Sequence, residues 1–133
     1  EDVSRRYVVV FNGEIYNYQE LREHLVAAGH VFCSSSDTEV ILESYKMWGR
    51  KYLDYFEGAF AFAIYDKDSK DLFVARDRAG EKPLFYKYSE GSFIFASELK
   101  ALMANPSISR RLDLDSLDYY LAYGYVSGNA SIL

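Results

Sequence analysis

Cysteine, histidine and proline are nearly absent from this 133-residue chain, which holds one Cys, two His and two Pro. A single cysteine excludes an internal disulfide and fits a reducing compartment, so the expected location is cytoplasmic. Cys33 with His24 and His30 gives none of the spacings of a structural metal site, and no metal is expected. Basic charge is not in excess: the net charge is -5 and no Lys/Arg stripe is present, which argues against a nucleic-acid surface. No apolar run approaches the length that spans a bilayer, and no secretory signal opens the chain, so no membrane attachment is expected. There is no initiator Met, and Glu1–Arg6 reads as an arbitrary starting point just ahead of a strand. What is abundant is apolar and aromatic, with half the residues apolar and 13 Tyr and 9 Phe, enough to give one domain a sizeable core.

The stretch around which the chain is read is Phe11-Asn12-Gly13-Glu14-Ile15-Tyr16-Asn17. Tyr7–Phe11 has the β-branched and aromatic character of a buried strand. Asn-Gly then signals a tight turn, and Tyr18–Arg22 opens a helical pattern. A strand ending this way offers two hydrogen-bond donors, Asn12 Nδ2 and a backbone N–H, and two converging donors suit an oxyanion. An ordinary turn is the plain alternative.

Further along, Leu21, Leu25, Val26 and Ala28 recur at helical intervals and Gly29 stands where a terminating glycine belongs. Residues His30–Cys33 read as a short strand. Asp37 is placed to cap a helix over Thr38–Trp48, which ends at Gly49, and Tyr52–Gly58 reads as a short helical segment. Ala59–Tyr65 and Asp71–Asp77 form an antiparallel hairpin, and Leu84–Tyr88 with Ser92–Ser97 form another around Glu90-Gly91. Glu98–Ala104 is a brief helix stopped by Pro106, and Asp113 or Asp115 can cap a further helix through Leu121. Residues 126–131 are loop-like. Hairpin-linked strands beside helices imply an α+β layered sandwich.

Five blocks, in order, resemble the class II glutamine amidotransferase domain of glutamine-hydrolysing asparagine synthetases. They are Asn12–Asn17, Ser36–Ile41, Phe56–Ala63, Ala75–Tyr86 and Phe95–Leu102. The resemblance runs from about Tyr7 to near the end of the chain. It implies an N-terminal nucleophile hydrolase fold, a four-layer αββα sandwich of antiparallel sheets flanked by helices, here incomplete at both ends. The whole of 1–133 would be a partial glutaminase domain, with about 106–133 running toward the linker to an absent synthetase domain. The implied reaction is attack on the glutamine carboxamide by an N-terminal Cys whose α-amino group is the base, release of ammonia, and hydrolysis of the thioester. The implied acceptor is aspartate, activated by ATP and Mg in the synthetase domain; the glutaminase domain itself needs no cofactor. A sugar phosphate or a purine precursor is the alternative acceptor, and a non-catalytic binding or assembly module is the alternative of another class. Glu98–Leu102 favours the asparagine type.

By the same resemblance, the Asn12 side chain and the Gly13 N–H match the oxyanion hole, Glu14 lines the glutamine pocket, and Asp37 grips the substrate α-ammonium group. Residue 1 is Glu1, not a thiol, and the resemblance places the nucleophile strand and the arginine that clamps the glutamine carboxylate upstream of it. Cys33 reads as a small buried hydrophobe inside a strand and does not replace the nucleophile. The chain alone is therefore expected to be inactive. Unpaired sheet edges are expected to make it associate, a homo-oligomer included. Arg76-Asp77-Arg78 reads as a structural ion pair fixing its loop, Lys82 receives no role, and His24 and His30 are expected to be surface and structural residues respectively.

Overall fold

The computed structural model describes residues 1–89, 91–128 and 130–133. The chain divides into two compact units, Glu1–Leu84 and Phe85–Leu133.

The first unit is a three-stranded antiparallel sheet in the order β1-β2-β3, with β1 Tyr7–Ile15, β2 Gly58–Asp66 and β3 Leu72–Arg76. Between β1 and β2 the chain forms α1 Tyr18–Ala27, α2 Asp37–Trp48 and a 3-10 helix over Gly49–Tyr55. β1 and β2 pair along their whole length, from Tyr7 opposite Asp66 to Ile15 opposite Gly58. Local pattern shows hairpins; this pairing spans the three intervening helices and had no local signal.

Period-two alternation explains the two faces of β2. Phe60, Phe62 and Ile64 point to the core, where they join Ile15, Leu21, Leu25, Val40, Ile41, Tyr52 and Phe56. Aromatic rings build much of it, with Tyr52 and Phe56 centroids 4.9 Å apart and Phe56 and Phe60 edge-on at 5.9 Å. The opposite face of β2 carries Ala59, Ala61 and Ala63, and beside them on β1 stand Val10, Asn12 and Glu14, all exposed. Val26, one of the apolar residues at helical spacing, is 53% exposed; Leu21 and Leu25 are the buried anchors of α1, and Tyr18 packs against the core beside them.

The Asn12-Gly13 turn does not form. Both residues are inside β1, Asn12 opposite Ala61 and Gly13 opposite Phe60. Glycine is needed there for a different reason: Gly13 has φ 143°, and a Cβ on it would lie 2.1 Å from the Ala59 carbonyl oxygen and 2.7 Å from Phe60 Cα. Gly58, opposite Ile15, makes the reciprocal close approach, its Cβ position lying 2.2 Å from the Glu14 carbonyl oxygen. The predicted strand over His30–Cys33 is also absent; that segment is a loop, and Cys33 is exposed in it rather than buried. Its backbone is held from outside the segment, by Glu39, which accepts from the N–H groups of Cys33 and Ser34, both at 2.7 Å.

The start of the chain is tied to the unit by charge. Arg6 grips Asp66 through Nε at 2.9 Å and Nη2 at 2.6 Å, and Asp2, buried, accepts from the Tyr7 N–H at 2.9 Å and lies 3.0 Å from Lys46 Nζ. The Arg6 hydrogen bonds, against the opposing effect of burial, hold the Asp66 carboxyl well below the usual carboxylate range. At Asp2 burial pushes upward, and the combined donors Ser4, Tyr7 and Lys46 outweigh it.

The second unit pairs β4 Phe85–Ser89 with β5 Ser92–Ala96 and adds α3 Leu99–Met103 and α4 Leu114–Tyr123. Asp113, one of the two candidate caps, accepts from Ser116 N–H at 2.8 Å, and Gly124 ends α4 in the left-handed conformation. Of the predicted turn Glu90-Gly91 and loop 126–131, Glu90 and Asn129 lie outside the described residues. Two antiparallel sheets with helices agree with the α+β expectation. Among the described residues no helix is long and apolar enough to cross a membrane.

Two outcomes follow. Gly13→Ala is expected to destabilise the fold by more than about 2 kcal/mol, read by urea denaturation, because the added methyl meets backbone that cannot move aside. The depressed carboxyls of Asp2 and Asp66 contribute stability that is fully present above their unfolded value of about 4 and is lost as pH falls below it toward their folded values. The melting temperature is therefore expected to hold steady above that value and to drop below it, less steeply in Asp66→Asn.

Candidate functional site

In an antiparallel ladder, residues alternate between those that bond the facing strand and those that turn their N–H and C=O the other way. Tyr16 N–H donates to Glu57 O at 2.7 Å at one end of the β1–β2 pair, and Lys67 N–H to Arg6 O at 3.0 Å at the other. Counting in steps of two from either end makes Glu14, Asn12, Val10 and Val8 the residues that bond β2. Gly13 and Ile15 then face away, to the outer edge of β1. Two contacts agree. Phe60, opposite Gly13, uses its backbone toward β3, its C=O accepting from Asp77 N–H at 2.8 Å and its N–H donating to Asp77 Oδ2 at 3.2 Å. Ile15 N–H donates to Asp37 Oδ2 at 3.2 Å.

Asp37 thus sits at the outer edge of β1, two residues beyond Gly13. It is not the helix cap: Ser36 is, its hydroxyl accepting from Thr38 N–H at 3.1 Å, and Asp37 is the first residue of α2. Ser has the smaller side chain and the extended backbone that a cap needs, which leaves the Asp37 carboxylate free to reach β1. Its other oxygen, Oδ1, keeps only a long 3.5 Å contact with the Ser36 hydroxyl.

Asn12 and Glu14 project together from the open face of the sheet, exposed and two residues apart. The predicted site residues thus lie on or against the second half of β1: the Asn12 amide and Glu14 carboxylate on its open face, the Gly13 N–H on its outer edge, and the Asp37 carboxylate bonded to Ile15. An amide and a backbone N–H are donors of the kind that hold a negatively charged oxygen, and a carboxylate is the kind of group that holds an ammonium. Among the described residues no group of His, Cys, Asp and Glu converges as metal ligands would.

The family model described as the glutamine amidotransferase domain matches residues 2–133. The chain belongs to that family. Within the glutamine amidotransferase domains, it is similar to asparagine synthetase [glutamine-hydrolyzing] 3 of Bacillus subtilis, 46% identical over 118 residues, 89% of this chain and 19% of that protein. Asparagine synthetase [glutamine-hydrolyzing] 1 of the same organism is 42% identical over 120 residues, again 19% of its length. The chain thus spans about a fifth of the length of these curated relatives. Among solved structures, glutamine phosphoribosylpyrophosphate amidotransferase from Bacillus subtilis, complexed with ADP and GMP, superposes with a TM-score of 0.65 at 30% identity, covering 73% of this chain and 23% of that one.

This amidotransferase domain also holds together residues that pattern reading left without a role. Arg76-Asp77 fixes its loop through backbone groups rather than as an ion pair. Arg76 donates to Lys82 O at 2.6 Å and to Gly80 O, while buried Asp77 accepts from the N–H groups of Glu81 at 2.9 Å and Lys82 at 3.0 Å. Arg78 only approaches Asp54, at 3.6 Å and fully in solvent. Asn17 pins β1 to the start of β2: Nδ2 donates to Tyr55 O at 2.9 Å and Oδ1 accepts from Glu57 N–H at 3.1 Å. It precedes α1 and makes no side-chain cap bond to it. His30 pairs with Glu43 at 2.8 Å, a structural contact as expected, and His24 is exposed.

Asp37→Ala is expected to cost about 1 to 2 kcal/mol, because it removes the acceptor from the Ile15 N–H. Amide exchange at Ile15 checks this: it should speed up selectively, while Val10 stays as in the parent.

Proposed function

We propose that this chain is the glutaminase portion of a glutamine-hydrolysing asparagine synthetase, which splits glutamine to glutamate and ammonia. The ammonia serves ATP-dependent amidation of aspartate in a synthetase domain of the same polypeptide, which also holds the ATP and Mg. The observation that carries this reading is the 46% identity to such a synthetase, and it is supported by Asn12 and Gly13 lying on the strand whose Ile15 N–H holds the Asp37 carboxylate.

In this reading a thiolate adds to the carboxamide carbon and the carbonyl π electrons move onto oxygen. Asn12 Nδ2 and Gly13 N–H donate to that oxygen where its charge develops. The carbonyl reforms as the C–N bond breaks, the nitrogen leaves as ammonia after gaining a proton, and water then cleaves the thioester. Asp37 neutralises the substrate α-ammonium, and Glu14 lines the pocket beside it. The thiolate is not that of Cys33, which lies on an exposed loop with its backbone tied to Glu39. The solved phosphoribosylpyrophosphate amidotransferase favours a purine-precursor acceptor as the second reading, with lower identity, 30% against 46%.

The 133-residue chain by itself is expected to release no ammonia from glutamine; release would contradict the assignment of the nucleophile elsewhere. In a polypeptide of the relatives' full length, Asn12→Ala is expected to lower glutaminase kcat by about 10²-fold with little change in KM, as loss of one oxyanion donor does. An unchanged kcat would remove Asn12 from the chemistry.

A further inference from the structure

The loop between α1 and α2 leads straight into Asp37, and side chains of both helices fasten it. From α1, Arg22 donates to Ser34 O at 2.6 Å and lies over the Phe32 ring, 4.2 Å from its centroid. From α2, Glu43 pairs with His30 at 2.8 Å. Glu39 grips the loop nearest to Asp37. Its Oε1 accepts from Cys33 N–H at 2.7 Å, and its Oε2 accepts from Ser34 N–H at 2.7 Å and from the Ser34 hydroxyl at 2.6 Å. Ser34 Oγ in turn accepts from Ser36 N–H at 3.2 Å, and Ser36 Oγ accepts from Thr38 N–H at 3.1 Å. A bonded chain therefore runs from Glu39 through Ser34 and Ser36 to Thr38, and Asp37 lies inside it. Glu39 stands three residues after the Ser36 cap, where a Glu ordinarily reaches back to the N–H of the cap itself. Here Ser34 takes that N–H, and Glu39 reaches further back to hold the loop.

We infer that Glu39 is a positioning residue for Asp37: by fixing Ser34 and Ser36 it sets where the free Asp37 oxygen lies, and so how well the protein tells a substrate with an α-ammonium group from one without. The inference rests on the reading of Asp37 as the group that holds that ammonium. Two carboxylates stand in the first turn of α2, and they differ in what they have left to offer. Both Glu39 oxygens are taken by loop donors, whereas Asp37 Oδ1 keeps only the long contact with the Ser36 hydroxyl. Burial pushes the Glu39 carboxyl upward; the Cys33 and Ser34 donors, with the Arg22 guanidinium nearby, outweigh it and hold the group ionised below its ordinary value. A charge-assisted hydrogen bond needs its acceptor closely placed. The bond from Ile15 N–H to Asp37, at 3.2 Å, is at the long end of the range and does not fix the carboxylate alone. The loop that Glu39 holds supplies the remaining constraint.

Glu39→Gln tests this in a polypeptide of the relatives' full length, because an amide keeps one acceptor oxygen and turns N–H groups toward the other loop donor. The probe is 4-carbamoylbutanoate, which is glutamine without its α-amino group. The ratio of its Ki to the KM of glutamine measures what the ammonium contributes, and it does not depend on how much of the variant folds. Glu39→Gln is expected to raise the glutamine KM by about 10-fold, with kcat held within about two-fold and the Ki little changed, so that the ratio falls. Ser34→Ala should lower the ratio in the same direction, and Ser34→Thr, which keeps the hydroxyl, should recover it. Equal weakening of both compounds would mean a merely structural role and overturn the inference. A parent-like ratio in Glu39→Gln beside a collapsed one in Asp37→Ala overturns this inference alone; a parent-like ratio in Asp37→Ala overturns the reading of Asp37 beneath it. Amide exchange in Glu39→Gln needs no turnover: Ile15 N–H is expected to speed up together with Cys33 and Ser34. An unchanged Ile15 beside two faster loop amides would show that Glu39 does not act on Asp37.

Discussion

The pairing of β1 with β2 through two glycines is the constraint on which the rest of this molecule depends. Gly13 and Gly58 let the strand backbones approach where any side chain would meet a carbonyl oxygen at little more than 2 Å. That approach fixes the register, and register fixes everything that alternates along β1. Phe11 and Ile15 go to the core; Val10, Asn12 and Glu14 go to the open face. The same alternation turns the backbone of Gly13 away from Phe60, whose own hydrogen bonds go to Asp77. A one-residue slip would exchange both faces and remove the candidate site as a unit.

Around that ladder, charged side chains do local structural work by accepting backbone N–H groups. Asp37 takes Ile15, Glu39 takes Cys33 and Ser34, and Asp77 takes Phe60, Glu81 and Lys82. Asp37 and Asp77 each join a helix start or a loop to a strand, and Glu39 joins the start of α2 to the loop before it. Asp37 is the informative case, since its structural bond and its proposed ligand contact use the same carboxylate. Holding one oxygen against Ile15 fixes the carboxylate at the β1 edge, so the structural bond is compatible with the proposed contact through the other oxygen.

Elements with a strong local period were readable from the residues: α2, the β2–β3 and β4–β5 hairpins, and the Asp113 cap of α4. The errors have physical causes. Asn12-Gly13 carries turn chemistry, but a facing strand overrode it, and glycine was required by crowding instead of by a bend. His30–Cys33 has the apolar character of a strand without a neighbour to bond, so it became a loop. Asp37 and Ser36 both suit a cap, and only the fold shows that Asp37 is drawn to β1. The site residues themselves were named through the family's motifs; the edge orientation of the Gly13 N–H could not be read before the β1–β2 register was known.

Amide hydrogen exchange along β1 examines that orientation most directly. The account predicts slow exchange at Asn12 and Glu14, whose N–H groups bond β2, and fast exchange at Gly13 between them. Protection of Gly13 equal to that of its two neighbours would place its N–H inside the ladder and contradict its availability to a substrate oxygen.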